Sequence, residues 1–384
     1  MTASESVPVL RELRLRNFRN FEDVQLNFPA AGAAIIGDNG SGKTNLLEAI
    51  YYLEIFRSFR GSTDEQLVRF GADAFHIRGV FYDPLEDRDI EIAVGYEIAT
   101  RTKRVRIDGV EQPRLVDAIG RVAAVIFSPS DVELVAASPA ERRRYLDIVL
   151  SLSSRGYLEA LQRYRHALRQ RNAVLRGFAN ESVTSAFEPA LIAAGSVLMT
   201  ERAAWVNEHA DRFESVYREI GGGASAQMRY KPDVRMEGEI DHATSADAFQ
   251  TALSRVARRE RERKVTLAGP HRDDLSFLMA TADGDVDLRE FGSGGQLRTG
   301  AIALRLVEAA TIRNARGKQP VMLLDDVFAE LDPGRSRRIV QLFREGRRGQ
   351  VIMTAPKETD VELAPFQGAG APARWGIANG RVRT

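Results

Sequence analysis

The eight residues Gly37 to Thr44 (GDNGSGKT) sit between a short apolar run, Ala33 to Ile36, and a segment with apolar side chains at helical spacing, Asn45 to Leu53. Strand, glycine-rich loop and helix in that order constrain the fold more than anything else in the chain. A strand that is apolar on both faces needs parallel neighbours and crossovers, hence an α/β architecture. Gly37, Gly40 and Gly42 admit backbone angles closed to other residues, so amides from Gly37, Asp38, Asn39, Gly40, Ser41, Gly42 and Lys43 through Thr44 and Asn45 can turn inward around phosphate oxygens. The helix start adds partial positive charge. Lys43 is expected to reach the β- and γ-phosphates of ATP, and the Thr44 hydroxyl to ligate Mg²⁺.

Far downstream, Val321 to Asp326 (VMLLDD) reads as a second strand buried on both faces and ending in two carboxylates. Asp325 is the expected Mg²⁺ partner and Asp326 the residue that orients the attacking water. Just ahead of that strand, Phe291 to Gln296 (FGSGGQ) opens a helical segment, Leu297 to Ile312. Ser293, Gly294, Gly295 and Gln296 therefore present amides and a hydroxyl to an anion at a helix start.

Because nucleotide motifs stand at both ends, the middle must be an insertion whose ends lie close together. Residues 1–128 are strand-rich (Val9 to Leu15, Phe75 to Tyr82, Ile90 to Tyr96, Val105 to Ile107), with Asp108-Gly109 a hairpin turn. Residues 129–267 read as helical and arginine-rich, broken at Gly221 to Gly223, with a short strand at Tyr230 to Val234. Residues 268–384 return to strand signals. Sustained heptads for a long coiled-coil arm are absent.

Composition narrows the classes. The 384 residues contain no cysteine, which removes disulfides and thiolate chemistry and fits a cytoplasmic protein. The opening residues lack a signal-peptide pattern, and no membrane partner is expected since no stretch approaches the ~20 apolar residues of a span. Net charge is only +1, so a nucleic-acid surface has to arise from local segregation of charge. Glu141 to Arg176 holds nine arginines against three acids, and Arg255 to Lys264 six bases against two; a third cluster runs from Arg335 to Arg348. Tyr157, Leu161, Tyr164, Leu168 and Leu175 share one helical face, with Arg165, Arg169 and Arg176 on its flank. Each such run alone reads as a solvated face; jointly they favour contact with a DNA backbone.

Taken with Leu15 to Phe21 (LRNFRNF), Arg57 to Arg60 (RSFR), Phe127 to Asp131 (FSPSD), Glu141 to Asp147 (ERRRYLD), Gly269 to Leu275 (GPHRDDL) and Leu323 to Asp332 (LLDDVFAELD), the motifs resemble those of the RecF family of bacterial recombination mediators, relatives of SMC- and ABC-type ATPases. The resemblance spans nearly the whole chain. It implies an α/β fold, an ABC-type P-loop ATPase head with a mostly helical inserted domain, and an ATP-dependent homodimer in which Ser293 and its neighbours meet the nucleotide of the other copy. It further implies binding to double-stranded and gapped DNA, help in loading RecA together with RecR and RecO, and weak DNA-dependent ATPase activity. Glu330 and Asp332 match the loop that crosses the dimer seam in such proteins, and Ser128 aligns with the loop that contacts Mg²⁺. Arg57 and Arg60 can serve as fingers toward ATP, as DNA contacts or as a solvated helix end.

Departures from the family pattern have consequences. Gly294 replaces the usual glutamine of the signature, losing one side chain and no backbone donor. Asp326 is one methylene shorter than the usual glutamate, so hydrolysis is expected to be slow. Thr354, in the strand Gln350 to Thr354, stands where histidine is usual, offering a hydroxyl in place of an imidazole. His271 reads as part of a hydrogen-bond network in preference to a metal site, having no second histidine nearby. A metabolite kinase would keep the P-loop without needing FGSGGQ, and a nuclease-coupled relative would need an acidic cluster after Asp332; another SMC- or ABC-like repair ATPase is the remaining alternative.

Overall fold

The computed structural model describes residues 8–177, 181–236, 241–328, 331–345, 349–361, 366, 371–378 and 380–383. The chain divides into two compact units, Met1–Ser130 with Glu308–Thr384, and Asp131–Val307. Residues 268–307, grouped on the sequence with the C-terminal part of the head, pack within the second unit. The strand Asp274–Thr281 pairs antiparallel there with Ala226–Lys231 and Gly284–Asp287.

The first unit holds two six-stranded sheets. One is antiparallel, ordered Phe21–Asn27, Val9–Phe18, Ala74–Asp83, Arg88–Glu97, Thr102–Ile107, Val110–Glu111. Its last hairpin turns at Asp108 and Gly109, with φ of 50° and 78°, the left-handed pair that a two-residue turn requires. The other sheet is mostly parallel, ordered Arg381–Arg383, Ala373–Ala378, Gly32–Ile36, Val351–Ala355, Val321–Asp325, Ala124–Phe127. Helix Lys43–Ile55 packs against strands of both sheets, which is why Leu46, Leu47, Ala49, Ile50, Tyr52 and Leu53 are buried on every side of it. Gln350 joins the sheets: its side chain accepts from the Leu10 amide at 2.8 Å and donates to the Leu10 and Pro29 carbonyls at 3.0 Å.

The second unit is mainly helical, with Pro139–Ser153, Arg155–Arg176, Glu188–Gly221 and His242–Arg263 beside the three-stranded sheet. The expected strand Tyr230 to Val234 forms earlier, at Ala226–Lys231, because its register is set by pairing Lys231 with Asp274. Val234 is buried without belonging to a strand. Contrary to expectation, Val183–Gly221 is apolar and long enough to cross a membrane by length and composition. In this fold it is a core helix: Leu191, Leu198, Met199, Trp205, Phe213 and Tyr217 are buried, and mid-helix Arg202 is ion-paired.

Arg202, 2% exposed, organises the polar interior of this unit. Its guanidinium donates to Asp147 at 2.8 Å, Asp273 at 2.7 Å, the Pro270 carbonyl at 2.7 Å and the Tyr157 hydroxyl at 3.0 Å. Burial alone would favour the neutral form, but Tyr157, Asp147 and Asp273 outweigh it and hold Arg202 well above the usual arginine range. Asp273 also accepts from the Tyr230 hydroxyl and from the Asp233 amide at 3.0 Å. Arg142 grips Asp274 with two bonds of 2.8 Å. The motifs ERRRYLD and GPHRDDL thus meet in one buried network. His271 is part of the same region, taking a 2.6 Å bond from the Tyr164 hydroxyl at Nδ1 while Nε2 donates to the Thr266 carbonyl at 3.2 Å. Burial holds its pKa below the usual histidine value.

The arginine-rich run is therefore partly internal. Arg171 is buried between Glu260 at 2.7 Å and Glu188 at 3.0 Å, and Arg165 is tied to Asp147 at 2.9 Å. Arg163, Arg165, Arg169 and Arg176 remain on the surface.

Removing the guanidinium in Arg202→Ala strands two buried carboxylates, and unfolding free energy should drop by about 3–5 kcal/mol in denaturant titration. Because the folded pKa of His271 lies below the unfolded 6.5, the unfolded chain binds the extra proton, so stability is complete above that value and is lost as pH falls through it. Thermal unfolding from pH 7.5 to 5.5 should show this component in the wild type and lack it in His271→Gln.

Candidate functional site

The carboxyl edge of the parallel sheet gathers the sequence motifs. Asp325 lies opposite Thr354 on the neighbouring strand, and Thr354 lies opposite Ile35, just before the P-loop. Phe127, next to Ser128, pairs with Leu324. Ligand sites in open parallel sheets form at this edge because the loops leave it in different directions.

The loop itself is held in shape from outside. Gly42 has φ 111°, and a Cβ there would fall 2.4 Å from the Asn20 side-chain nitrogen. Asn20 donates to the Ser41 carbonyl at 3.0 Å and accepts from Asn45 Nδ2 at 2.9 Å. At Gly380, with φ 72°, a Cβ would fall 2.2 Å from the Asn20 carbonyl oxygen, and the Gly380 amide donates to the Ser41 carbonyl at 3.3 Å. Lys43 Nζ, 4% exposed, donates to the Gly37 and Asp38 carbonyls at 2.6 and 3.3 Å, and stands 3.8 Å from Asp326. The loop borders a cleft of about 610 Å³ whose wall includes Asp38, Asn39, Gly40, Lys43, Thr44 and Asp326.

The Thr44 hydroxyl, on the cleft wall, lies 2.9 and 3.0 Å from the two carboxylate oxygens of the buried Asp325. Thr354, buried, donates to Asp325 at 2.8 Å while its oxygen accepts the Asp326 amide at 3.0 Å. Its single proton is thus directed at the acidic pair. Asp326 adopts φ 44°, a left-handed conformation that swings its side chain away from the strand. Burial pushes the Asp325 carboxyl above the usual range, as does the charge of Asp326, against the hydrogen bonds from Thr354 and Thr44.

Other expected residues are distributed as follows. Arg60 lines the cleft and donates to Asn45 Oδ1 at 3.2 Å, whereas Arg57 is exposed and does not line it. Ser293, in the second unit, caps the start of helix Gly294–Arg316: its hydroxyl accepts the Gln296 amide at 3.3 Å, and Gln296 Oε1 accepts the Ser293 amide at 2.8 Å. The Gln296 side chain is thereby committed to the cap. Ser293 and Gly294 are exposed, with open space at Gly294. Asp332 caps helix Pro333–Glu345 through the Arg335 amide at 2.9 Å. Ser128 contacts Ser130 at 2.9 Å; Glu330 lies outside the described residues, as does the end of the third basic cluster.

Sequence reasoning missed Arg19 and Asn20 as members of the cleft wall. Arg19 forks onto Glu48 of the P-loop helix with two 2.8 Å bonds. A turn between two polar-edged strands gives no local sign that it abuts the P-loop; the pair Asn20 and Asn45 becomes meaningful only once the fold brings them together.

The donor set suits a nucleoside triphosphate with a divalent cation. Helix Lys43–Ile55 begins without a side-chain cap or an acidic residue in its first turn, and the buried Ser41 hydroxyl has no partner among the described residues. Thr44 and Asp325 place two hard oxygen donors side by side, the chemistry Mg²⁺ prefers.

Comparison with known proteins agrees with this geometry. Residues 9–368 match the RecF/RecN/SMC N terminal domain family. The chain is 34% identical to the DNA replication and repair protein RecF of Salinibacter ruber, over 93% of this chain and 87% of that protein. With the RecF of Moorella thermoacetica it shares 35% identity, covering 97% and 95% of the two chains. A solved structure of the recombination mediator protein RecF with ATP in the RecFOR pathway superposes with a TM-score of 0.90 at 28% identity, over 100% and 99% of the chains. The Smc head domain of Pyrococcus furiosus, at 16% identity and TM-score 0.56 over 98% and 95%, shares the fold alone. The fold is that of an ABC-type ATPase head with a helical insertion, and the chain belongs to the RecF family of DNA replication and repair proteins.

Proposed function

We propose that the chain is an ATP-driven switch on DNA, in which two copies close around nucleotide while bound to duplex or gapped DNA and assist RecA loading with RecR and RecO. The observation that carries this reading is that Lys43, Thr44 and Asp326 line one cleft while the buried Asp325 and Thr354 bond to them from behind. The relative solved with ATP supports the nucleotide. Lys43 and the P-loop amides take the phosphates, and Thr44 with Asp325 would hold Mg²⁺, which supplies charge neutralisation on the phosphate oxygens. Asp326 accepts the proton of the attacking water. Its side chain, one methylene shorter than a glutamate, holds water at attacking distance less well, so turnover is slow and the nucleotide acts as a timer. The exposed helix start at Ser293 and Gly294, with the Ser293 hydroxyl proton still available to donate, is the surface that meets the other copy's γ-phosphate.

Sizing by light scattering with ATP, ADP or no nucleotide, with and without gapped DNA, tests the scheme. Assembly should require ATP, vanish in Lys43→Met and persist in Asp326→Asn, whose hydrolysis should fall about 10²- to 10⁴-fold. Ser293→Arg should abolish assembly while leaving ATP binding intact. Single copies under saturating ATP, with DNA present, would refute the reading.

A raised Asp325 pKa also predicts proton linkage. A cation favours the carboxylate, so binding releases a proton and Mg²⁺–ATP affinity weakens as pH is lowered, beginning at a higher pH than for an ordinary aspartate. Calorimetry in buffers of different ionisation enthalpy should detect that proton, and Asp325→Asn should lose it.

A further inference from the structure

The outward face of the antiparallel sheet carries a second concave site, unrelated to the nucleotide cleft. A groove of about 540 Å³ is lined by Arg14, Arg16, His76, Arg78, Arg104 and Arg106, with Glu97 its one acidic residue. Strand register explains the clustering. One cross-strand row reads Arg16, His76, Gly95, Arg104, and the next reads Arg14, Arg78, Ala93, Arg106. Gly95 and Ala93 leave a floor with nothing larger than a methyl group between two banks of arginines. A Cβ at Gly95 would fall 2.8 Å from the His76 ring, so the floor is kept low where that ring needs the space.

Within the lining five arginines stand against Glu97 alone, and four further carboxylates at its border pair with four of those arginines. Asp23 serves both Arg14 and Arg16 at 3.3 and 3.7 Å, Glu111 is 3.9 Å from Arg106, and Glu12 and Glu91 pair with Arg78. Those four carboxylates lie outside the groove lining. Arg104 has no ion pair among the described residues. Exposed pairs of this kind are worth about 0–1 kcal/mol each, so a ligand phosphate can displace the carboxylates at little cost. Burial, together with Arg16 and Arg106, holds His76 below the usual histidine range, which is the response of a neutral ring in a positive field.

We infer that this sheet face is a duplex-DNA docking surface, its two arginine banks gripping phosphates on either side of a groove of the double helix. The inference rests on the DNA-binding reading above and adds a contact surface in the first unit built from arginines outside the three clusters counted along the sequence. Geometry favours a duplex. Two and three inter-strand steps separate the banks, about 10–15 Å at the usual sheet spacing, which brackets the roughly 12 Å major groove. Tyr96, the aromatic residue of the lining other than His76, is buried, so a stacking platform of the kind single strands use is missing. Guanidinium forks without base-edge readers predict binding that ignores sequence and depends on salt.

The test is fluorescence anisotropy of the full chain with ATP on a 30-base-pair duplex and on the matching single strand, as a function of salt. Arg16→Ala/Arg104→Ala/Arg106→Ala should weaken duplex binding at least tenfold and reduce the slope of log K against log salt by about 2–3, since each lost phosphate contact removes ~0.9. ATP affinity and single-strand binding should be unchanged. Glu97→Gln, which keeps the side chain's shape, should tighten duplex binding, a gain that misfolding does not imitate. If the wild type binds no DNA at all, the functional reading fails; if it binds and both variants bind equally well, or only the single-strand arm responds, this assignment fails.

Discussion

The short contact between the Thr44 hydroxyl and the Asp325 carboxylate joins residues 281 positions apart and determines how the rest of the first unit has to be built. Each group sits at the end of a strand or the start of a helix in the same parallel sheet, with the Val351–Ala355 strand between them. Three consequences follow from that spacing. The sheet must order its strands out of sequence, the intervening chain must leave and return, and Thr354 must stand beside Asp325, where its buried hydroxyl bridges the acidic pair. Parallel pairing supplies the rigidity: every backbone group along these strands is committed, so the loops at the edge are fixed to within a hydrogen bond's tolerance.

The second unit obeys a different logic. Its centre is a charged network in which one arginine answers two aspartates, a tyrosine hydroxyl and a carbonyl. Such a network does not have to exceed a hydrophobic core in stability to be useful. Its value lies in directionality, because a fork-shaped guanidinium accepts only a narrow set of partner positions, and Arg202 thereby locks helix Pro139–Ser153, helix Glu188–Gly221 and the Pro270–Arg272 turn into one arrangement. Arg142 and Asp147 of ERRRYLD and Asp273 and Asp274 of GPHRDDL are spent here on architecture.

That division explains what sequence reasoning could and could not reach. The P-loop, the acidic strand and the signature were legible because each carries its own local geometry: glycines where side chains would collide, apolar runs of strand length, a serine and glutamine at capping distance. Asn20 was illegible, being an unremarkable polar residue in a turn whose role comes from standing against Gly42 and Ser41. Arginine clusters were only partly legible for a related reason. Charge counts along a helix do not reveal that Arg142 and Arg171 turn inward to carboxylates far away in the chain, nor that arginines from three separate strands, each isolated in sequence, line one groove.

By itself the sequence determined the chemistry of the phosphate cradle, the existence of an interrupted α/β head and the family, since those depend on residue types at short fixed spacings. Only the tertiary structure decided which charges are internal, which residues brace the loop from behind, and where positive potential collects on the surface. The reason is physical: electrostatics and packing act through distance in space, and strand order and register, which set those distances between remote residues, are properties of the folded sheet that no local pattern encodes.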